Sequence, residues 1–136
     1  MKFFRRNSKQ GQVLDSNSPS DPAVMDQPTD TASYIRRGYA FYESSKFDEA
    51  AQDFRKAFDL DSTSVDAVYG LGMSLKAAGK TDDAVTAFKS AIALIDKGVV
   101  ADKSRARILR RLALGHVNQI TSGDWNLEAE IWQHIK

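Results

Sequence analysis

The chain contains no cysteine among its 136 residues, which removes disulfides, thiolate metal sites and thiol nucleophiles together. Its three prolines, Pro19, Pro22 and Pro28, all precede residue 29, so helices can run unbroken from there onward. Histidine is confined to His116 and His134, and the carboxylates around them form no recognisable ligand set. There is no glycine-rich phosphate loop and no nucleophile elbow, and the carboxylates fall mainly at helix starts and on polar faces. The expectation is therefore no enzyme, no cofactor and no metal.

Charge of neither sign dominates. Nineteen Lys and Arg face eighteen Asp and Glu, a formal charge of +1, which disfavours a general polyanion binder such as a nucleic-acid protein. No window approaches the roughly eighteen consecutive apolar residues of a membrane span. The opening Met1-Lys2-Phe3-Phe4-Arg5-Arg6 is not followed by the apolar stretch of a signal peptide, and Lys2 is incompatible with N-myristoylation. A cytoplasmic location is expected.

What is present begins with a polar arm. Residues 7 to about 29 are rich in Ser, Asn, Asp, Gln and Pro, and such a stretch buries too little apolar area to offset its ordering entropy. A disordered segment over 1–30 is the expectation. Beyond it, Tyr34-x₂-Arg37-Gly38-x₂-Phe41 and Ala50-x₃-Phe54-x₂-Ala57 return as Val68-x₂-Leu71-Gly72-x₂-Leu75 and Ala84-x₃-Phe88-x₂-Ala91. Each landmark returns after thirty-four residues. A fixed period of this length is the mark of a repeated helix–turn–helix unit.

The pattern predicts one helix pair over Thr31–Ser45 and Phe47–Leu60, and a second over Ser64–Ala78 and Asp82–Asp96. Thr29 or Thr31, Thr63 (with Asp66 as a capping box) and Thr81 are the candidate N-caps, and Gly79 and Gly98 the left-handed stops. A longer helix is expected over Asp102–Thr121, with Ile108, Leu109, Leu112, His116 and Ile120 on its apolar face. His116 on such a face reads as a hydrogen-bonded core residue. Gly123-Asp124 then stops this helix, and a final one carries Trp125, Leu127, Ile131, Trp132 and Ile135. Short loops between partners make antiparallel hairpins.

These residues resemble the tetratricopeptide repeat family. Two copies match over 31–64 and 65–98, and a diverged third is expected over 99–136. The resemblance implies an all-α fold of antiparallel helix hairpins in a short right-handed solenoid of about three pairs. Gly38, Ala50, Gly72 and Ala84 would be the close-approach positions, with Tyr34, Phe41, Phe54, Val68, Leu75 and Phe88 filling the space beside them. Departures from the family pattern are Arg37, where Leu is usual, and Ser62 and Asp96, where Pro is usual.

The resemblance also implies a non-enzymatic interaction module whose first helices line a concave groove for a partner segment. The inward positions would be Ile35, Tyr39, Tyr42 and Glu43, then Asp66, Tyr69, Met73 and Lys76. Arg107 and Arg110 would add a basic end if the third copy is read in register or shifted onto Leu109 and Ala113. Aligning Gly115 with Gly38 leaves them on an outer extension. The expected partner is another protein, an extended peptide or a helix carrying acidic and apolar residues. The family's chaperone-tail clamp is not expected, because Ile35, Tyr39 and Gly70 occupy its positions. Two alternatives stand beside the adaptor: a small secretion or assembly chaperone, and a scaffold unit that self-associates through its C-terminal repeat.

Overall fold

The computed structural model describes residues 27–125, and within them there are five helices and no strand. In chain order these are α1 (Thr31–Glu43), α2 (Phe47–Leu60), α3 (Val65–Ala77), α4 (Thr81–Asp96) and α5 (Lys103–Ser122). Residues 1–26 of the arm expected over 1–30, and the expected final helix apart from Trp125, with His134, lie outside the described residues. Each helix packs chiefly on the next along the chain, and α1 also touches α3. That succession is the all-α hairpin repeat the thirty-four-residue period predicts.

The two hairpins turn in the same way but with different residues. Gly79 takes a φ of +83° between α3 and α4, and Ser45 takes +61° at the equivalent place between α1 and α2. A left-handed residue sends the chain back along its partner, and glycine adopts that conformation without steric cost whereas serine does not.

Helix starts depart from the predicted caps. Asp30, rather than Thr29 or Thr31, caps α1 by accepting from the Ser33 amide at 2.8 Å. Ser64 caps α3 by accepting from the Ala67 amide, while the Thr63 hydroxyl donates to Asp61 at 2.6 Å and makes no box with Asp66. Thr81 is the first residue of α4, and Lys80 before it makes no side-chain cap. Asp82 and Asp83, like Asp48 and Glu49 in α2, instead place charge against the helix dipole. Asp102 caps α5 through the amides of Ser104 and Arg105. At α1 and α3 the expected hydroxyl lost to a neighbour one residue away, and at α4 no side chain caps the start.

The core is a column of small residues and two phenylalanines. Phe54 and Phe88 are fully buried, as are Ala50, Ala57, Ala84 and Ala91. A side-chain carbon added at Gly38 would meet the Phe54 ring at 3.0 Å, and one at Gly72 would meet Phe88 at 2.9 Å. At Gly70 the added carbon would collide with the same Phe54 ring. The glycines thus let rings, more than backbones, enter the helix interface.

Arg37, the departure from the usual leucine, has a partner. Its guanidinium donates to both oxygens of buried Asp53 at 2.7 and 2.9 Å and lies 5.6 Å from the Phe41 ring. This fork joins α1 to α2, and its hydrogen bonds to Asp53 push the Arg37 pKa up. The Ser74 hydroxyl, by contrast, is buried with no hydrogen-bond partner among the described residues.

Candidate functional site

Tyr39 is the most exposed aromatic of the repeats at 43%, and it rests edge-on against Phe54 with ring centroids 5.0 Å apart. It sits on α1 one turn from Ile35 and Tyr42, which are half-buried against the core. On α3, Tyr69 and Met73 are also half-buried, and Tyr69 meets Phe88 edge-on at 5.6 Å. The three tyrosine hydroxyls are neighbours in the electrostatic sense. Burial raises the Tyr69 pKa most, and Tyr39 and Tyr42 add to it. Burial likewise raises Tyr39, with nearby Asp66 contributing. Tyr39, Tyr42 and Tyr69 thus lie near one another across α1 and α3, as rigid amphipathic area. Glu43 is exposed at the end of α1.

The polar ends of this face are made by α5. Asp66 accepts from Arg105 at 2.6 Å, an exposed ion pair spanning α3 and α5. Lys76 donates to His116 Nδ1 at 2.9 Å and to Gln119 Oε1 at 2.6 Å, with its ammonium 5.9 Å from the Trp125 ring. His116 stacks on Phe88 at 4.7 Å and meets Trp125 edge-on at 4.9 Å. Burial, then the charge of Lys76, drives the His116 pKa down to about 4, so the ring is neutral and its Nδ1 lone pair can accept. Burial also lowers Lys76.

Arg107 and Arg110 are not brought to this face. Arg110 pairs with Asp96 at the end of α4 at 2.8 Å, and among the described residues exposed Arg107 reaches Ser104 on its own helix. At 100° per residue they lie about 160° and about 140° round α5 from Arg105. The cause is register. Gly115 stands forty-three residues after Gly72, not thirty-four, and a side-chain carbon there would strike the Trp125 ring. Ala113 and Val117 are buried beside it.

The predicted apolar face of α5 is accordingly corrected. Leu109 and Ile120 pack against the core, whereas Ile108 is 60% and Leu112 39% exposed. The sequence expectation does not place Arg105, His116 or Gln119 against Asp66 and Lys76 of α3, where the structure has them. Projecting α5 from Gly115 would have found them, since 105, 112, 116 and 119 then share one side.

Among the described residues there is no cluster of His, Asp or Glu able to hold a metal ion, and no helix is long and apolar enough to cross a membrane. A family model described as TPR repeat matches residues 38–79, and one described as tetratricopeptide repeat matches residues 66–94. No curated protein and no solved structure matches the chain. The two matches overlap on α3 and between them take in the glycine, alanine and phenylalanine positions that build both hairpins. Repeats of this kind generally mediate protein–protein interaction. On these matches and this helix order, the chain is a tetratricopeptide-repeat-containing protein.

Proposed function

We propose that this protein is a non-enzymatic, cytoplasmic adaptor that holds a segment of a partner protein along the face formed by α1, α3 and α5. The observation that carries the reading is the exposure of Tyr39 beside half-buried Tyr42, Tyr69 and Met73. Rigid aromatic area with polar tips, anchored on Phe54 and Phe88 and flanked by an adaptable thioether, suits partner recognition. The groove set is Ile35, Tyr39, Tyr42, Glu43, Asp66, Tyr69, Met73 and Lys76, with Arg105, Leu112 and His116 in place of Arg107 and Arg110.

The test is capture from an extract of the native source by the immobilised full-length chain, with partners identified by mass spectrometry. Replacing Tyr39 and Tyr69 together by Ala is expected to lower recovery of the specific partner by at least about tenfold. The thermal melt should stay cooperative. Undiminished capture by the double variant would place the binding surface elsewhere.

A second reading, self-association, draws on the exposed Ile108 and Leu112 of α5. Light scattering over a range of concentrations separates it from the adaptor, and a strict monomer sinks it.

A further inference from the structure

Lys76 differs from every other cation on the groove face. Arg105 is already paired with the Asp66 carboxylate. Lys76 has no carboxylate partner among the described residues; the two groups it holds, His116 Nδ1 and Gln119 Oε1, are both neutral acceptors. An ammonium carries three N–H bonds, so these two contacts leave one donor uncommitted within the described structure.

Its surroundings make that donor a good seat for an anion. The chain end of a surface lysine normally loses rotamer entropy when it binds. Here His116, Gln119 and the nearby Trp125 ring already fix it, so that loss has been taken on folding. The site is also partly shielded from water, which strengthens any charge–charge contact relative to bulk solvent. Burial shifts both Lys76 and His116 toward their neutral forms, and the Lys76 charge adds to the shift of His116. With two neutral acceptors, the Lys76 ammonium has no ion-pair partner among the described residues.

Position fixes what the anion accompanies. Lys76 lies two turns along α3 from Tyr69, about 10 Å at 1.5 Å per residue. An extended chain covers about 10 Å in three residues. We propose that Lys76 receives a carboxylate side chain of the partner segment, three residues away from an apolar side chain that rests on Tyr39, Tyr69 and Met73. This rests on the groove reading above and adds a recognition rule to it. Charge complementarity selects an acidic side chain, because a cationic or amide residue at that place would leave the Lys76 charge unrelieved.

The test uses the immobilised full-length chain and three pools of synthetic ten-residue peptides with amidated C-termini. All positions are random except a fixed Leu and, three residues later, a fixed Glu, Gln or Lys. The wild-type chain should retain the Glu pool about fivefold to tenfold better than the Gln pool, and the Lys pool least. Lys76→Met should bring the Glu and Gln pools to parity while keeping the Gln pool's retention.

Equal retention of Glu and Gln pools by the wild type overturns the proposal, as does a Glu preference that survives Lys76→Met. A Glu preference seen only after Glu128→Gln and Glu130→Gln also overturns it, by showing that the chain's own carboxylates fill the seat. The groove reading fails separately, if Gln-pool retention is the same for the wild type and the Tyr39→Ala, Tyr69→Ala variant. An NMR titration guards against misfolding of Lys76→Met. Saturating the wild type with a retained Glu peptide should raise the His116 ring pKa from about 4. An unmoved ring counts against the proposal.

Discussion

Phe54 and Phe88 occupy equivalent places thirty-four residues apart, and the junctions around them are built from different materials. Phe54 lies against two glycines, Gly38 of its own hairpin and Gly70 of the next. Phe88 lies against Gly72 and stacks on the imidazole of His116. In the first junction the helices that line the groove, α1 and α3, touch directly. In the second, α5 stands farther from α3, and long side chains bridge the gap: Arg105 to Asp66, and Lys76 to His116 and Gln119. A close apolar junction makes a rigid wall, while a bridged one places polar, titratable groups on the proposed binding face. On the proposed reading, stability rests more on the first and selectivity on the second.

The most forceful way to break this contrast is Gly70→Ala. Its new methyl runs into a fully buried ring that has no room to retreat, and overpacking of this kind should cost about 2–3 kcal/mol in chemical denaturation. Ala113 replaces Gly70 in the second junction, so the reverse change there, Ala113→Gly, should cost only about 1 kcal/mol of helix propensity. Equal losses at the two sites would mean the junctions are alike after all.

Acid should loosen the second junction selectively. His116 titrates near 4 in the folded chain against its ordinary 6.5, so between those values the unfolded chain binds more protons. The stability it contributes is complete above pH 6.5, falls as the pH drops, and is gone below about pH 4. Allowing for the ring's partial exposure, the step should be about 1 kcal/mol. Denaturant melts at pH 7 and pH 4 of the wild type and of His116→Phe check this; the variant should lack the step.

A smaller gain is expected within the second hairpin. Ser74 stands where the first hairpin has Ala40, and its buried hydroxyl has no partner among the described residues. Ser74→Ala should stabilise by up to about 1 kcal/mol, read as a rise in melting temperature. Smallest of all, Arg105→Ala should change stability by less than about 0.5 kcal/mol, because its ion pair with Asp66 is half exposed. A large loss in that variant would mean the bridge does more than shape the binding face.

The first junction was legible in the sequence because its residues recur at an unbroken spacing. Helix limits for α1 through α4 fall within two residues of the predicted ones, and Gly79 and Gly98 stop helices as expected. The second junction was harder to read. A longer connection enters α5, and a repeat of thirty-four residues no longer indexes its faces. That single displacement misplaced Ile108, Leu112, Arg107 and Arg110, and hid Arg105 and Gln119. Caps were missed for a different reason. Where several short polar residues adjoin, as in Asp61-Ser62-Thr63-Ser64, the winner depends on which side chain another hydroxyl has already engaged. Arg37 and Asp53 were each visible, but they lie sixteen positions apart and meet only once the hairpin has folded.

The succession of helices, each packed chiefly on its chain neighbour, also governs how the molecule comes together. Contacts between segments close in sequence need little loop closure, so the hairpins can form rapidly and in the order of synthesis. The N-terminal hairpin can close its Arg37–Asp53 fork before α5 exists. A growing chain of this kind can assemble hairpin by hairpin, and the contact between Lys76 and His116 comes into register only with the last helix described.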